Sequence, residues 1–169
     1  MIRRSPLEGV PLIDGPRELP FLAQLAVRTQ APGSDLPSEP NTVAGDASRA
    51  ALWLGPDEWL VVGPPGSEAT LEDELGATGA AVVDVSANRT TLELRGPRVR
   101  ELLEFGCPID LHPRVFGPGR CAQTLLARAN VLIWFVTDDP EPVYRLFVRP
   151  SFAAYLAAWL ADAADGLTD

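Results

Sequence analysis

Apolar positions in this chain fall in short runs of strand length, cut by turns rich in glycine and proline, with helical spacing in three places. Residues 50–54 and 58–62 are aromatic and branched and flank Gly55-Pro56-Asp57, so they predict a hairpin carrying Trp53 on one arm and Trp59 on the other. The run from Phe21 to Val27 predicts an earlier strand. Ser67 is placed as a helix cap, followed by Glu68, Glu72, Asp73 and Glu74 on a solvated face and stopped by Gly76 and Gly79. Residues 80–85 and 89–94 read as a strand pair around Ser86-Ala87-Asn88.

Gly96-Pro97 opens a second helix with an apolar stripe at Val99, Leu102 and Leu103, ended by Gly106. Residues 121–128 and 131–136 predict a long hairpin over Ala129-Asn130, and residues 144–148 a last strand. Ser151 is expected to cap a final helix. Phe152, Tyr155, Leu156, Trp159 and Leu160 recur there at helical spacing and read as core that holds helix to sheet. Strands in hairpins with helices inserted between them predict an α+β fold: a mainly antiparallel sheet with helices packed on one side, akin to ferredoxin-like arrangements.

Composition narrows the function classes. A chain of 169 residues, 46% hydrophobic and 22% charged, supports one domain with a sizeable core. Its net charge of −9 disfavours nucleic acid and anionic lipid as partners. All 14 basic residues are arginine, which rules out lysine Schiff-base and phosphate-loop lysine chemistry. The 17 prolines are about twice average usage. Many of them, with several glycines, lie in residues 1–48, which therefore read as an N-terminal arm ordered against a partner, ahead of a single α+β domain at 49–169. The basic start Met1-Ile2-Arg3-Arg4 lacks a following apolar core, and the apolar run 131–136 is too short to span a membrane. With only two cysteines and no disulfide framework, a reducing cytoplasm is the expected location.

Candidate chemistry is sparse. His112 is the only histidine, and the spacing Cys107, Asp110, His112, Cys121 is the one set that could gather metal ligands. No Cys-x-x-Cys pair supports it, and lone cysteines are usually small buried apolar residues. A nucleophile triad would need Ser86 or another serine near His112 and a carboxylate, yet no Gly-x-Ser-x-Gly occurs. Asp84 and Ser86 are better read as satisfying turn backbone groups.

Several blocks point to a family. These are Ser5-Pro6-Leu7, Glu18-Leu19-Pro20-Phe21-Leu22-Ala23-Gln24, Leu36-Pro37-Ser38-Glu39-Pro40-Asn41-Thr42, Gly106-Cys107-Pro108-Ile109-Asp110-Leu111-His112-Pro113 and Gly119-Arg120-Cys121-Ala122-Gln123-Thr124. Together with Val83-Asp84-Val85-Ser86 ahead of Leu92-Glu93-Leu94-Arg95-Gly96-Pro97, they resemble the γ subunits of heterotetrameric sarcosine oxidases, members of the aminomethyltransferase-like, folate-binding superfamily. The resemblance implies that fold and a non-catalytic role in a complex that oxidatively demethylates sarcosine to glycine. The one-carbon unit passes to tetrahydrofolate or leaves as formaldehyde, and hydrogen peroxide forms. It also implies that FAD, FMN, NAD, zinc and tetrahydrofolate are held by the α, β and δ subunits. In the superfamily a hairpin carboxylate meets folate; the matching stretch here is Asn130-Val131-Leu132-Ile133-Trp134, with Ile133-Trp134 where the acid should be. No catalytic, cofactor-binding or metal-ligating residue is therefore assigned to this chain. Arg95, Arg98, Arg100, Arg114 and Arg120, beside the family blocks, are candidate interface forks for a partner's carboxylates. A stand-alone folate-binding protein of the same superfamily is the alternative.

Overall fold

Along β2 (Ala23–Arg28), Ala23, Leu25 and Val27 have no exposed surface, and Gln24 on the opposite face is 1% exposed, so this strand is covered on both sides. The computed structural model describes residues 4–12 and 16–167, leaving Met1-Ile2-Arg3 of the basic start outside the described residues. β2 is an interior strand of a five-stranded sheet in the order β3-β4-β5-β2-β6, built with β3 (Val43–Gly45), β4 (Ala50–Gly55), β5 (Glu58–Gly63) and β6 (Ala81–Asp84). A second five-stranded sheet has the order β1-β7-β10-β9-β8, from β1 (Arg17–Leu19), β7 (Thr90–Arg95), β8 (Arg120–Leu126), β9 (Ala129–Thr137) and β10 (Val143–Val148). Every strand pairing in both sheets is antiparallel.

The α+β, antiparallel class agrees with the expectation, and each sheet does carry its helices on one side. What the period-2 pattern did not separate is that there are two sheets. Helix α1 (Glu68–Gly76) sets Leu71 and Leu75 on the outer face of the first, against Leu25, Val27, Trp59 and Val61. Helices α2 (Val99–Glu104) and α3 (Pro150–Asp165) cover the outer face of the second, where Leu103, Leu156 and Leu160 join Leu92, Leu94 and Leu146 in one core. The inner faces meet directly: Leu52, Leu60 and Val62 of one pack with Cys121, Leu132, Trp134 and Phe147 of the other. β4 and β5 are apolar on both faces, so each face needs its own covering layer, and four layers result.

The predicted hairpin is present, with Trp53 opposite Trp59 and the turn at Pro56-Asp57. Trp59 is 1% exposed and donates its indole N–H to the Pro37 carbonyl at 2.8 Å, which ties the 34–40 loop to the first sheet. Residues 81–84 and 90–95 are strands as expected, but they are not partners. β6 pairs with β2, β7 pairs with β1 and β10, and the 85–89 segment crosses between the sheets. Gln24 explains the divergence: its N–H donates to Ser86 Oγ at 2.9 Å, its carbonyl accepts from Val85 N at 2.8 Å, and its Nε2 donates to the Arg89 carbonyl at 2.9 Å. Held this way, the chain leaves the first sheet instead of folding back on it.

Two helix starts and one turn also differ in detail. Ser67 stands at the N-cap of α1, but its hydroxyl donates to the Pro64 carbonyl at 2.7 Å and does not cap. α3 begins at Pro150 with Arg149 as N-cap, so Ser151 lies inside the first turn; proline at the first helical position costs no hydrogen bond. The turn of the long hairpin is at Ala127-Arg128, where Ala127 takes φ 52°, not at Ala129-Asn130. The buried face of α3 is Ala153, Leu156, Ala157 and Leu160, while Phe152 and Tyr155 of the expected stripe stay 38% and 39% exposed. Trp159 packs instead over Gly106, where an added Cβ would lie 2.6 Å from its ring and 3.0 Å from Ala127 N. Gly63 plays the same part for α1, since a Cβ there would come within 2.7 Å of Leu71.

A boundary at 48/49 does not divide this fold. β1, β2 and β3 are strands of the two sheets, Leu7 and Leu36 are buried, and residues 41–43 pair with 119–121, joining the sheets along one edge. Among the described residues of this stretch, prolines and most glycines fall in the short connections around β1, β2 and β3.

Candidate functional site

The two thiols belong to different cores. Cys121, second in β8, lies between the sheets with no exposed surface, donating weakly to the carbonyls of Thr42 and Trp53 at 3.5 and 3.6 Å, and burial pushes its thiol up to about 12. Cys107 follows α2 in the helix-covered core, and burial raises its thiol as well. His112 lies on an exposed loop, where Nδ1 accepts from Arg114 N at 3.2 Å and its own N–H donates to Asp110 Oδ1 at 2.8 Å. The sequence spacing thus does not converge. Among the described residues no group of three His, Cys, Asp or Glu side chains is placed to hold a metal ion.

This arrangement predicts thiol reactivity. At pH 8, Cys121 in the native chain is expected to react with an aromatic disulfide reagent about a hundredfold more slowly than in denaturant, because only the thiolate attacks and the site excludes both charge and reagent. Rapid labelling of both thiols in native buffer would contradict the burial described here.

Asp84 and Ser86 act locally. Ser86 Oγ donates to Asp84 Oδ1 at 2.6 Å, Ser86 N donates to the same oxygen at 2.9 Å, and the hydroxyl accepts from β2. The stretch 130–134, which the sequence resemblance sets against a folate-binding acid, is the middle of β9. Ile133 faces the helix-covered core and Trp134 the sheet–sheet core, both at most 2% exposed. No carboxylate stands at that position to meet a pterin, so these residues do not fit folate as the superfamily's acid does.

The five arginines marked in the sequence do not form one set. Arg95 ends β7, and Arg98 and Arg100 stand at the start of α2; all three are engaged within the chain. Arg95 meets Glu93 at 2.9 Å, Arg98 meets Glu101 at 3.0 Å and the Leu167 carbonyl, and Arg100 meets Glu104 at 3.5 Å. Arg95 and Arg98 border an apolar hollow of about 310 Å³ that includes Leu94, Val99 and Leu102. Arg120 is elsewhere, bound to Glu39 at 2.7 Å, and Arg114 is exposed on the His112 loop. The paired members spend their charge on the chain's own acids, and the exposed pairs of Arg98, Arg100 and Arg120 contribute about 0–1 kcal/mol each.

The inner, buried polar group is Glu93, 1% exposed at the middle of the second sheet. It accepts from Arg145 Nε at 3.0 Å and Arg95 Nε at 2.9 Å, with Arg17 at 3.7 Å. Burial alone would raise this carboxyl, but the hydrogen bonds and charges of Arg145 and Arg95 outweigh it and hold the group below its ordinary value. Arg145 also donates to the carbonyl of Ala47, in the turn between β3 and β4, at 2.7 Å and covers the Trp134 ring at 5.2 Å, so one side chain ties the second sheet to the turn that joins two strands of the first.

Sequence reasoning missed a second pair of arginines. Arg89, half-buried in the crossover between the sheets, and Arg149, the exposed N-cap of α3, line a cleft of about 760 Å³ with Gln123, Asn130, Leu125 and Phe152. Burial, and then the charge of Arg149, hold the Arg89 guanidinium below its usual value, with Glu58 opposing. Among the described residues neither arginine has a carboxylate at ion-pair distance. One signal was available in the sequence: residues 142–161 contain no Asp or Glu, although the chain has 23 acids.

Comparison with known proteins places these features in context. The model of the sarcosine oxidase, gamma subunit family matches residues 20–166. Sarcosine oxidase subunit gamma of Corynebacterium sp. (strain P-1) is 41% identical over 152 residues, covering 88% of this chain and 73% of that protein. The subunit of the same name from Corynebacterium sp. (strain U-96) is 40% identical over 161 residues, covering 87% and 77%. Among solved structures, a chain of the heterotetrameric sarcosine oxidase from Corynebacterium sp. U-96, in complex with pyrrole 2-carboxylate, superimposes with a TM-score of 0.82 at 36% identity over 99% of this chain and 97% of that one. The glycine cleavage system aminomethyltransferase T from Bartonella henselae superimposes with a TM-score of 0.65 at 13% identity, covering 92% of this chain and 47% of that one, a likeness of fold alone.

Proposed function

This chain belongs to the sarcosine oxidase γ-subunit family, and from that premise we propose that it serves as a non-catalytic scaffold subunit of a heterotetrameric sarcosine oxidase in the cytoplasm. The observation that carries the reading is the end-to-end match, 99% of this chain against 97% of its counterpart in the solved heterotetramer. The partners proposed are the α, β and δ subunits, and the flavins, dinucleotide, zinc and folate are proposed to sit on them. Two features of the chain support a scaffold role. The interior between its sheets is packed with Leu52, Leu60, Leu132, Trp134 and Phe147, and the superfamily's folate acid is replaced by Ile133-Trp134 on a buried strand. Of the arginines marked in the sequence, Arg95, Arg98 and Arg100 share one end of the second sheet and remain candidate contacts there; Arg114 and Arg120 lie apart from them.

Purification from its native cells through a small tag, under gentle conditions, tests the proposal. The expected result is a particle several times the mass of the chain, with a flavin absorbance spectrum and sarcosine-dependent peroxide formation. A colourless monomer that binds tetrahydrofolate at micromolar concentration by calorimetry would replace it with a stand-alone folate-binding role.

A further inference from the structure

We propose that the cleft between Arg89 and Arg149 is the seat of an acidic segment from a neighbouring subunit, one whose carboxylates meet the two guanidinium groups while an apolar side chain rests on Leu125 and Phe152. This rests on the reading of the chain as an oxidase subunit. Most described arginines of this acidic chain face a carboxylate within 4 Å. Arg89 and Arg149 instead line one cleft, where the charge of Arg149 acts on Arg89. Glu58, the acid that acts on Arg89, is already paired with Arg28 at 2.9 Å. Two like charges drawn together with one of them half-buried oppose each other until an anion arrives, and no acid lies in residues 142–161 to supply it from the Arg149 side.

The shape of the cleft favours a polypeptide over a free anion. Its volume of about 760 Å³ exceeds what a lone phosphate or carboxylate fills, and two apolar side chains stand exposed on its rim, Leu125 at 43% and Phe152 at 38%. Asn130 is exposed at the same place and offers both a donor and an acceptor to a backbone. Phe152 and Tyr155, one turn apart on α3, continue the apolar rim along the helix. Planar guanidinium groups beside an exposed aromatic match the composition of subunit contacts that join charge recognition to apolar burial.

The test compares complexes co-expressed with wild-type chain, with the double variant Arg89→Glu/Arg149→Glu, and with Arg49→Glu, which reverses a charge in the turn before β4. The expected result is that the double variant weakens retention in the complex on the order of 100-fold in half-saturating concentration, while Arg49→Glu changes it less than about threefold. Arg89→Lys/Arg149→Lys should recover most of the affinity and retain the salt sensitivity. Far-ultraviolet dichroism and the unfolding midpoint of each isolated chain separate binding loss from misfolding. Normal retention of the charge-reversed variant, in cells where the wild type does assemble, overturns this inference and leaves the scaffold reading standing. If the wild-type chain itself fails to assemble, both fall. Stabilisation of the free chain by millimolar citrate or phosphate, with unaltered assembly of the reversal variant, would also overturn it and assign the cleft to a small anion.

Discussion

Removing residues 1–28 is expected to abolish cooperative folding, not merely assembly. The deletion takes away β2, which lies between β5 and β6, so both neighbours lose a full antiparallel ladder and α1 loses Ala23, Leu25 and Val27 beneath it. Truncating a single buried leucine costs about 2–5 kcal/mol, against a total stability of about 5–15 kcal/mol for a domain. Three fully buried side chains and two strand pairings therefore exceed what the remaining sheet can lose. The truncated chain should show no sigmoidal urea transition and should bind a hydrophobic dye. A cooperative transition near the wild-type midpoint would mean that residues 1–28 form a dispensable arm after all.

Replacing Glu93 by alanine is the point substitution with the largest expected effect. It leaves Arg145 9% exposed, without its carboxylate and still bound to Ala47 and Trp134, and breaking one side of a buried pair costs about 3–5 kcal/mol. Glu93→Gln should cost less, because the amide oxygen still accepts one of the hydrogen bonds. The pH dependence has a definite sign. The folded carboxyl titrates below its ordinary value of 4.5, so its contribution is fully present above that value and is lost as pH falls through the folded value. The stability difference between wild type and Glu93→Gln should therefore be flat above about pH 5.5 and narrow on acidification below 4.5. Urea titrations at several pH values check this. A Glu93→Ala loss under about 1 kcal/mol would show that the buried network contributes little beyond an apolar replacement.

Family membership was legible because it rests on local blocks, such as Cys107-Pro108-Ile109-Asp110-Leu111-His112-Pro113, that survive without knowledge of the fold. The hairpin around Gly55-Pro56-Asp57 and the helix after Gly96-Pro97 were legible for the same reason: turn chemistry acts over a few residues. The error over residues 81–95 came from the opposite situation. Adjacent strands joined by a three-residue turn usually pair, but here Gln24, some 60 residues earlier, holds the turn and sends the two strands to different sheets. The face of α3 was misjudged because alanines carry half of it: Ala153 and Ala157 are buried beside Leu156 and Leu160, and the larger Phe152 and Tyr155 remain exposed. The cleft was invisible because Arg89 and Arg149 are 60 positions apart and meet only where the crossover passes the start of α3.

The sequence by itself determined the helices and all strands but β1 and β3, the antiparallel α+β class, the exclusion of lysine chemistry and the family, since each depends on residue identity or on contacts within a few positions. The tertiary structure alone decided that there are two sheets, that β1 and β3 are strands of them and β2 an interior one, that Arg145 ties the second sheet to the turn before β4, and that Arg89 and Arg149 line one cleft with no carboxylate at ion-pair distance. Those outcomes depend on which distant surfaces meet, and a single chain's period-2 pattern is the same whichever partner strand completes it.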